Sequence, residues 1–283
     1  MQGFRYAYNV IGFGGEDVAV SIDRLARLGY DAVEVEGEPQ RYDPKVIRML
    51  VKDADLTVSS VCPNFTEERD LSHPDPEIRS VAVAYLRNVA EFAAEVGAPL
   101  FIVAPTAYAR VQPIADPLDE WLWAVESIRT AGDHASSLDV SLTLECWNRY
   151  GTYMLNRLEE GARMWHETGL ANGGVMADTF HMNIEERSIS GAILAYGNLL
   201  NHVHLSDSNR LAPGLGHIDF AELMRAQVEI GYEGSLAFEL IPTLPNLLVE
   251  GQGSPSLDDV AGQALHHMKQ VEQMLAAGRL EPS

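Results

Sequence analysis

Residues 175–207, VMADTFHMNIEERSISGAILAYGNLLNHVHLSD, contain the pattern that decides the fold. An apolar run (175–180) is followed by an amphipathic stretch (188–199) and then by a second apolar run (202–207). Short runs that are apolar almost throughout are typical of strands buried on both faces of a parallel sheet. This stretch therefore predicts one strand–helix–strand unit.

The same unit recurs along the whole chain. The predicted strands are 4–10, 31–37, 57–62, 100–105, 141–146, 175–180, 202–207 and 235–240, and the predicted helices are 16–28, 43–54, 75–96, 117–137, 157–168, 188–199, 219–230 and 256–277. Eight units without a break in composition favour an α/β fold, a single (β/α)8 barrel that forms one domain over residues 1–283. An open Rossmann-like sheet is disfavoured, because no GxGxxG motif opens the first helix.

Composition and charge restrict the class of function. The chain has 41 acidic residues against 20 Lys and Arg, a net charge of −21, so its field repels nucleic acid. The chain has no run of 18 apolar residues, which argues against a membrane span, and its start, MQGFRYAYNV, does not resemble a signal peptide. Together with two cysteines that are typical of reduced thiols, Cys62 and Cys146, these features predict a cytoplasmic protein.

Polar residues stand at the ends of four consecutive predicted strands. In a parallel barrel these ends share one mouth, where active sites are built. The four residues are Glu145, Asp178, His204 and Glu239. Without a cation among them, the three carboxylates would repel one another. A set of three carboxylates and one imidazole suits Mn²⁺, Mg²⁺ or Co²⁺, with Zn²⁺ as an alternative. The competing interpretation is four unrelated polar residues, each paired locally with arginine or backbone.

The motifs of the second half resemble those of one enzyme superfamily. The segments are TLECWNRYGTYMLN, MADTFHMN, HVHLSDSNRLAPGLGHIDF and LAFEL. They resemble the sugar isomerases and epimerases related to xylose isomerase and endonuclease IV, and within them most closely the ketose 3-epimerases. The resemblance implies that Glu145 and Glu239 bind one divalent cation, Mn²⁺ first, and also exchange protons with a sugar carbon. It implies that His181 and Arg210 hold the oxygens of the substrate, and that the protein forms homo-oligomers.

One position departs from the epimerase pattern. These epimerases usually carry a glutamate in the stretch that follows the strand-five ligand, where this chain has Gly151. The change predicts a wider site and keeps a second hypothesis open, a lyase acting on 3-oxo glycosides or a keto-inositol. Such a lyase resembles the large subunit of a C-glycoside deglycosidase and would need a small second subunit. An endonuclease is disfavoured by the acidic charge, and a non-catalytic sugar-binding barrel by the intact glutamates.

Four further residues have weaker assignments. Trp147, next to the strand-five ligand, is a candidate for stacking on the sugar, although core packing is the commoner use of tryptophan. Glu36 is a candidate substrate-binding residue, and it shares a strand face with Glu34. Salt bridges from these acids to Arg5 or Arg41 are an equally good interpretation. His202 shares a face with His204, and we expect it inside the barrel and not at the cation.

Overall fold

A computed structural model describes residues 3–241 and 256–278. Within these ranges eight parallel strands follow one another around a closed barrel, and the last pairs with the first. The predicted α/β barrel is therefore confirmed. No helix in the described ranges is long and apolar enough to cross a membrane.

The elements alternate as the sequence predicts. The strands are β1 Arg5–Asn9, β2 Ala32–Glu36, β3 Thr57–Cys62, β4 Leu100–Val103, β5 Ser141–Glu145, β6 Gly173–Asp178, β7 Leu200–Leu205 and β8 Ser235–Phe238. The helices are α1 Val18–Leu28, α2 Pro44–Asp53, α3 Pro76–Val96, α4 Pro117–Ser136, α5 Leu158–Thr168, α6 Thr179–Glu185, α7 Ile189–Tyr196, α8 Phe220–Glu229 and α9 Leu257–Ala276.

Aspartates begin several helices and glycines end them. Asp17 accepts a hydrogen bond from the backbone N–H of Ala19, and Asp219 accepts one from Glu222, so both satisfy N–H groups that the first turn leaves free. Gly29 and Gly97 end α1 and α3 with φ of 82° and 84°, a left-handed conformation that glycine adopts without a steric penalty. These caps fix where the chain turns back towards the sheet.

The largest difference from the predicted elements lies after β6. The predicted strand 175–180 ends at Asp178, and the unpredicted helix α6 begins at the next residue. Asp178 accepts hydrogen bonds from the backbone N–H groups of Phe180 (2.8 Å) and His181 (3.3 Å), so the acid that ends the strand also caps the helix. This immediate turn brings His181 back to the barrel mouth.

Alternation along the strands separates the inside of the barrel from the layer under the helices. On β1, the Tyr6 ring packs outward, and its hydroxyl reaches Met268 of α9. Ala7 faces inward and forms a small cluster with Ala32 and Ala237. The same alternation places the strand-end polar residues inside the barrel, above these alanines.

Candidate metal centre

The four predicted ligands meet at the barrel mouth. Glu145, Asp178, His204 and Glu239 each offer an atom within 4.8 Å of the others. His204 Nδ1 lies 3.1 Å from Glu239 Oε2, 3.6 Å from Asp178 Oδ2 and 3.8 Å from Glu145 Oε1. The imidazole nitrogen therefore faces all three carboxylates.

Strand ends deliver these side chains. Glu145 and Asp178 are the last residues of β5 and β6, and His204 is the last residue but one of β7. Glu239 comes directly after β8, one residue beyond the observed strand, and its backbone N–H still bonds to Leu205 O at 3.1 Å. Four neighbouring strands thus converge on one point.

Arg210 lies between two of the acids. Its guanidinium donates to both oxygens of Asp178 at 2.9 and 2.8 Å and also to Glu239 Oε2. The residue adopts a left-handed backbone with φ of 63° in the loop after β7. Buried Asp207 holds this loop by accepting from the backbone N–H groups of Ser208 (2.7 Å) and Gly214 (2.8 Å). The predicted substrate-binding arginine is therefore part of the cluster.

The pKa values of the Glu145 and Asp178 carboxyl groups are shifted in opposite directions. Burial, together with the nearby Glu239, raises the pKa of Glu145 to about 8. Burial works in the same direction on Asp178, but the neighbouring Arg210 guanidinium outweighs it and holds the pKa of Asp178 well below its usual range. Three buried or half-buried carboxylates around one imidazole form a hard donor set, which fits a divalent cation.

Glu34 connects two histidines under this cluster. It is fully buried, and its two oxygens lie 2.8 Å from His204 Nε2 and 2.7 Å from His202 Nε2. His202 is inside the barrel, as expected. The sequence placed Glu34 on one strand face with Glu36, but a strand pattern does not indicate which residue across the barrel an inward acid meets.

Glu36 does not join the cluster. Its Oε2 accepts from Arg41 at 2.8 Å and from the hydroxyl of Tyr42 at 2.7 Å. The structure thus contains the Arg41 salt bridge that the sequence left open, whereas Arg5 donates to Thr57. A contact between Glu36 and substrate stays a prediction.

His181 faces the cluster as a neutral imidazole. Its Nδ1 accepts from the backbone N–H of Asn148 at 3.0 Å, so its Nε2 carries the hydrogen. That Nε2 lies 3.8 Å from Asp178 Oδ2. Burial lowers the pKa of His181 to about 4, which keeps the ring uncharged at neutral pH. The ring can donate one hydrogen bond into the site.

Aromatic rings line one side of the mouth. The Trp147 ring is buried and packs edge-on against Tyr108 at 5.3 Å and Phe65 at 6.2 Å between centroids. A Cβ atom at Gly151 would lie 3.1 Å from Trp147 Cβ and 3.4 Å from Tyr108 Cε2. Trp147 and Tyr108 therefore lie against the backbone at Gly151, and the widening expected there stays a prediction.

Asn9 supplies a further buried donor. It is fully buried at the end of β1, and its Oδ1 accepts from the backbone N–H of Ile11 at 2.9 Å. This bond fixes the orientation of the amide and leaves Nδ2 without a hydrogen-bond partner among the described residues. A buried donor of this kind is costly unless something else accepts from it.

The comparisons with known proteins agree with this geometry. A family model described as "Xylose isomerase-like TIM barrel" matches residues 22–270. The chain belongs to this family. The predicted resemblance to sugar isomerases and epimerases is thereby confirmed.

Several relatives of this xylose isomerase-like barrel are named epimerases. It is 32% identical over 232 residues to the D-psicose 3-epimerase of Ruminiclostridium cellulolyticum, covering 79% of this chain and 78% of the relative. It is 28% identical to the 3-dehydro-D-guloside 4-epimerase of Escherichia coli, covering 80% and 88% of the two chains. The crystal structure of the D-psicose 3-epimerase with D-tagatose from Clostridium cellulolyticum H10 superposes with a TM-score of 0.86 at 29% identity, over 95% of this chain and 99% of that one.

Proposed function

We propose that the protein is a divalent-cation-dependent sugar epimerase in which Glu145 and Glu239 exchange protons with the carbon next to a carbonyl group. Its relatives, named 3-epimerases and a 4-epimerase, support this class of enzyme. The observation that carries the residue assignment is the arrangement of the two glutamates around one imidazole nitrogen, at 3.8 and 3.1 Å.

The cation would be held by Glu145, Asp178, His204 and Glu239. When bound, it would polarise the carbonyl and a neighbouring hydroxyl of the sugar, which makes the adjacent C–H more acidic. We expect Mn²⁺ first, with Mg²⁺, Co²⁺ and Zn²⁺ as alternatives, because the donors are mostly carboxylate oxygens.

Inversion at carbon needs a proton acceptor on one face and a donor on the other. Glu145 comes from β5 and Glu239 from the end of β8, so they approach the mouth from different sides. One carboxylate removes the proton and the other returns a proton to the opposite face. The configuration of the substrate decides which glutamate acts first.

The remaining groups would hold the sugar. His181 Nε2–H and the Arg210 guanidinium can donate to its oxygens, which stabilises charge that develops there. Asn9 Nδ2 is a further donor, and the rings of Trp147 and Tyr108 offer an apolar wall for a face of the sugar. The substrates we propose are free ketoses and keto-glycosides, the two kinds of sugar named for the relatives.

The epimerase is favoured over the lyase. The lyase hypothesis depended on extra space at Gly151, where Trp147 and Tyr108 both lie close to the position of an added Cβ atom. The names of the relatives point to epimerisation. From the family resemblance we also propose a homo-oligomer, and from the two free cysteines, Cys62 and Cys146, a cytoplasmic location.

A substrate panel tests this proposal. Purified protein, stripped with EDTA and then supplied with Mn²⁺, is incubated with ketohexoses, ketopentoses and 3-keto glycosides, and the products are separated by chromatography. We expect an epimer from at least one of them, and no product in EDTA. Release of an aglycone or water without an epimer would instead identify the lyase, and silence across the panel would contradict both.

A further inference from the structure

We propose that Glu34 is a positioning residue that fixes the tautomer and orientation of the His204 ring, so that the lone pair of Nδ1 faces the cation. The inference rests on the proposed function in one respect, the assignment of His204 as a cation ligand. It concerns a residue that would touch neither the cation nor the sugar.

The hydrogen bond between the two side chains determines where the ring hydrogen lies. Glu34 Oε1 is 2.8 Å from His204 Nε2, and an ionised carboxylate can only accept, so Nε2 carries the hydrogen. Nδ1 is then the nitrogen that can offer a lone pair to a cation held among Glu145, Asp178 and Glu239. A ring with the opposite tautomer would place an N–H group where the cation needs a ligand.

The contact crosses the inside of the barrel. Glu34 is on β2 and His204 is on β7, and β8 and β1 lie between them. Both intervening strands carry an inward alanine below the contact: Ala237 is the register partner of His204, and Ala7 pairs with Ala237 and with Ala32, two residues before Glu34. Because alanine side chains are short, the longer side chains of Glu34 and His204 can meet above them.

Glu34 is itself held in place. Its Oε2 lies 2.7 Å from His202 Nε2 and also accepts from the hydroxyl of Ser60, and it is completely buried. Both carboxylate oxygens are therefore occupied, and the side chain has one orientation available. A rigid acceptor restricts the His204 ring more than water would. Groups that hydrogen-bond to a metal ligand and orient it typically contribute 10–100-fold to metal affinity.

A second ion is the competing explanation for the same residues. Glu34, His202 and His204 could hold a cation of their own, since their ligand atoms also lie within 4.8 Å of one another. The two explanations differ in the number of ions bound: the positioning role predicts one per chain, and a second site predicts two.

The test replaces the carboxylate by an amide of the same shape. In Glu34→Gln the side chain offers one acceptor and one donor where the two histidines need two acceptors, so the tautomer of His204 is no longer fixed. We expect Mn²⁺ affinity, measured by titration calorimetry on the full chain without sugar, to fall about 10–100-fold. In the presence of Zn²⁺, the ¹⁵N chemical shifts of the His204 ring are expected to show a single form in the wild type, with the hydrogen on Nε2, and additional signals in the variant from rings that carry the hydrogen on Nδ1 and are not bound to Zn²⁺.

Glu120→Gln is the matched control. Glu120 is a fully buried carboxylate outside the cluster, paired with Arg110 at 2.7 Å, so its replacement removes a buried charge without touching His204. We expect it to lower the melting temperature and to leave Mn²⁺ affinity within twofold of the wild type.

Two results would overturn the inference. Mn²⁺ affinity of Glu34→Gln within twofold of the wild type would mean that the contact only packs the core. Loss of one of two bound ions would mean that Glu34 is a ligand of a second site. If Glu34→Gln does not fold, Glu34→Asp keeps the charge but shortens the reach to His204, and wild-type affinity in that variant would equally overturn the inference. Cation binding without turnover on the sugar panel would count against the proposed function alone.

Discussion

Glu145 and Glu239 face the same histidine from different surroundings. The Glu145 side chain is 6% exposed, whereas that of Glu239 is 20% exposed and receives a hydrogen bond from Arg210. Burial disfavours the charged form of Glu145, so this carboxyl depends on a bound cation to stay ionised. We therefore expect the two glutamates to respond differently to removal of the metal.

Glu145→Gln and Glu239→Gln should each lower the rate of epimerisation by about 10²–10⁴-fold, the usual contribution of a general acid or base. Each amide keeps the shape of the side chain but cannot carry the proton. Steady-state kinetics on the best substrate of the panel measures the loss. The control is Glu272→Gln near Tyr6 at the other end of the barrel, where we expect less than a twofold change. A rate within tenfold of the wild type in both active-site variants would contradict their roles.

The buried His181 predicts sensitivity to acid. Burial lowers its pKa to about 4 from 6.5, so the unfolded chain takes up a proton at a higher pH than the folded one. The contribution of neutral His181 to the free energy of unfolding is fully present above pH 6.5. As the pH falls towards 4 this free energy decreases by up to about 3 kcal/mol. In urea unfolding at pH 7 and pH 4, the stability of His181→Gln relative to wild type should improve at the lower pH. A pH-independent difference would be the contrary result.

At the end of β6, the single residue Asp178 contributes both to a helix cap and to the cluster. Asp178 caps α6 through two backbone N–H groups and also faces His204 and Arg210. A strand that ends in a helix cap leaves no loop between the two elements. The position of His181 on the first turn of α6 therefore depends on the same carboxylate as the cluster does.

Two substitutions separate these tasks. Asp178→Asn keeps an oxygen for the cap, so we expect α6 to stay formed while Mn²⁺ affinity falls at least tenfold. Asp178→Ala removes the cap as well and should cost about 1 kcal/mol more in the free energy of unfolding. Urea denaturation and calorimetric titration of both variants measure the two effects. Equal stability of the two variants would show that the cap contributes nothing.

Sequence patterns predicted the helices and strands better than the points at which one element passes into the next. Apolar runs and caps gave all eight strands, but the strand predicted to reach residue 180 ends at Asp178, because propensity does not reveal an acid that caps the next helix. The meeting of the four candidate ligands was predictable, since strand order alone sends strand ends to one mouth. The Glu34–His204 contact and the packing around Gly151 were not, because they depend on which side chains meet inside the barrel.

The whole chain carries a net charge of −21, and three of its acidic residues lie together in the cluster at the barrel mouth. A divalent cation that binds only the folded chain stabilises it by about 2.7 kcal/mol at a concentration of 100 times its Kd. We expect the melting temperature to rise by several degrees when Mn²⁺ is added to EDTA-treated protein. Differential scanning fluorimetry checks this, with Asp178→Asn as the variant that should lose the rise. An equal rise in that variant would place the cation elsewhere.

The most direct test of the two-glutamate account follows hydrogen at the inverted carbon. The Mn²⁺-loaded enzyme is incubated in D₂O with a sugar that it epimerises, and early product is analysed by NMR and mass spectrometry. If one glutamate removes the proton and the other delivers a different one, each molecule of product carries one deuterium at that carbon. Product that retains the original hydrogen there would contradict proton exchange by Glu145 and Glu239.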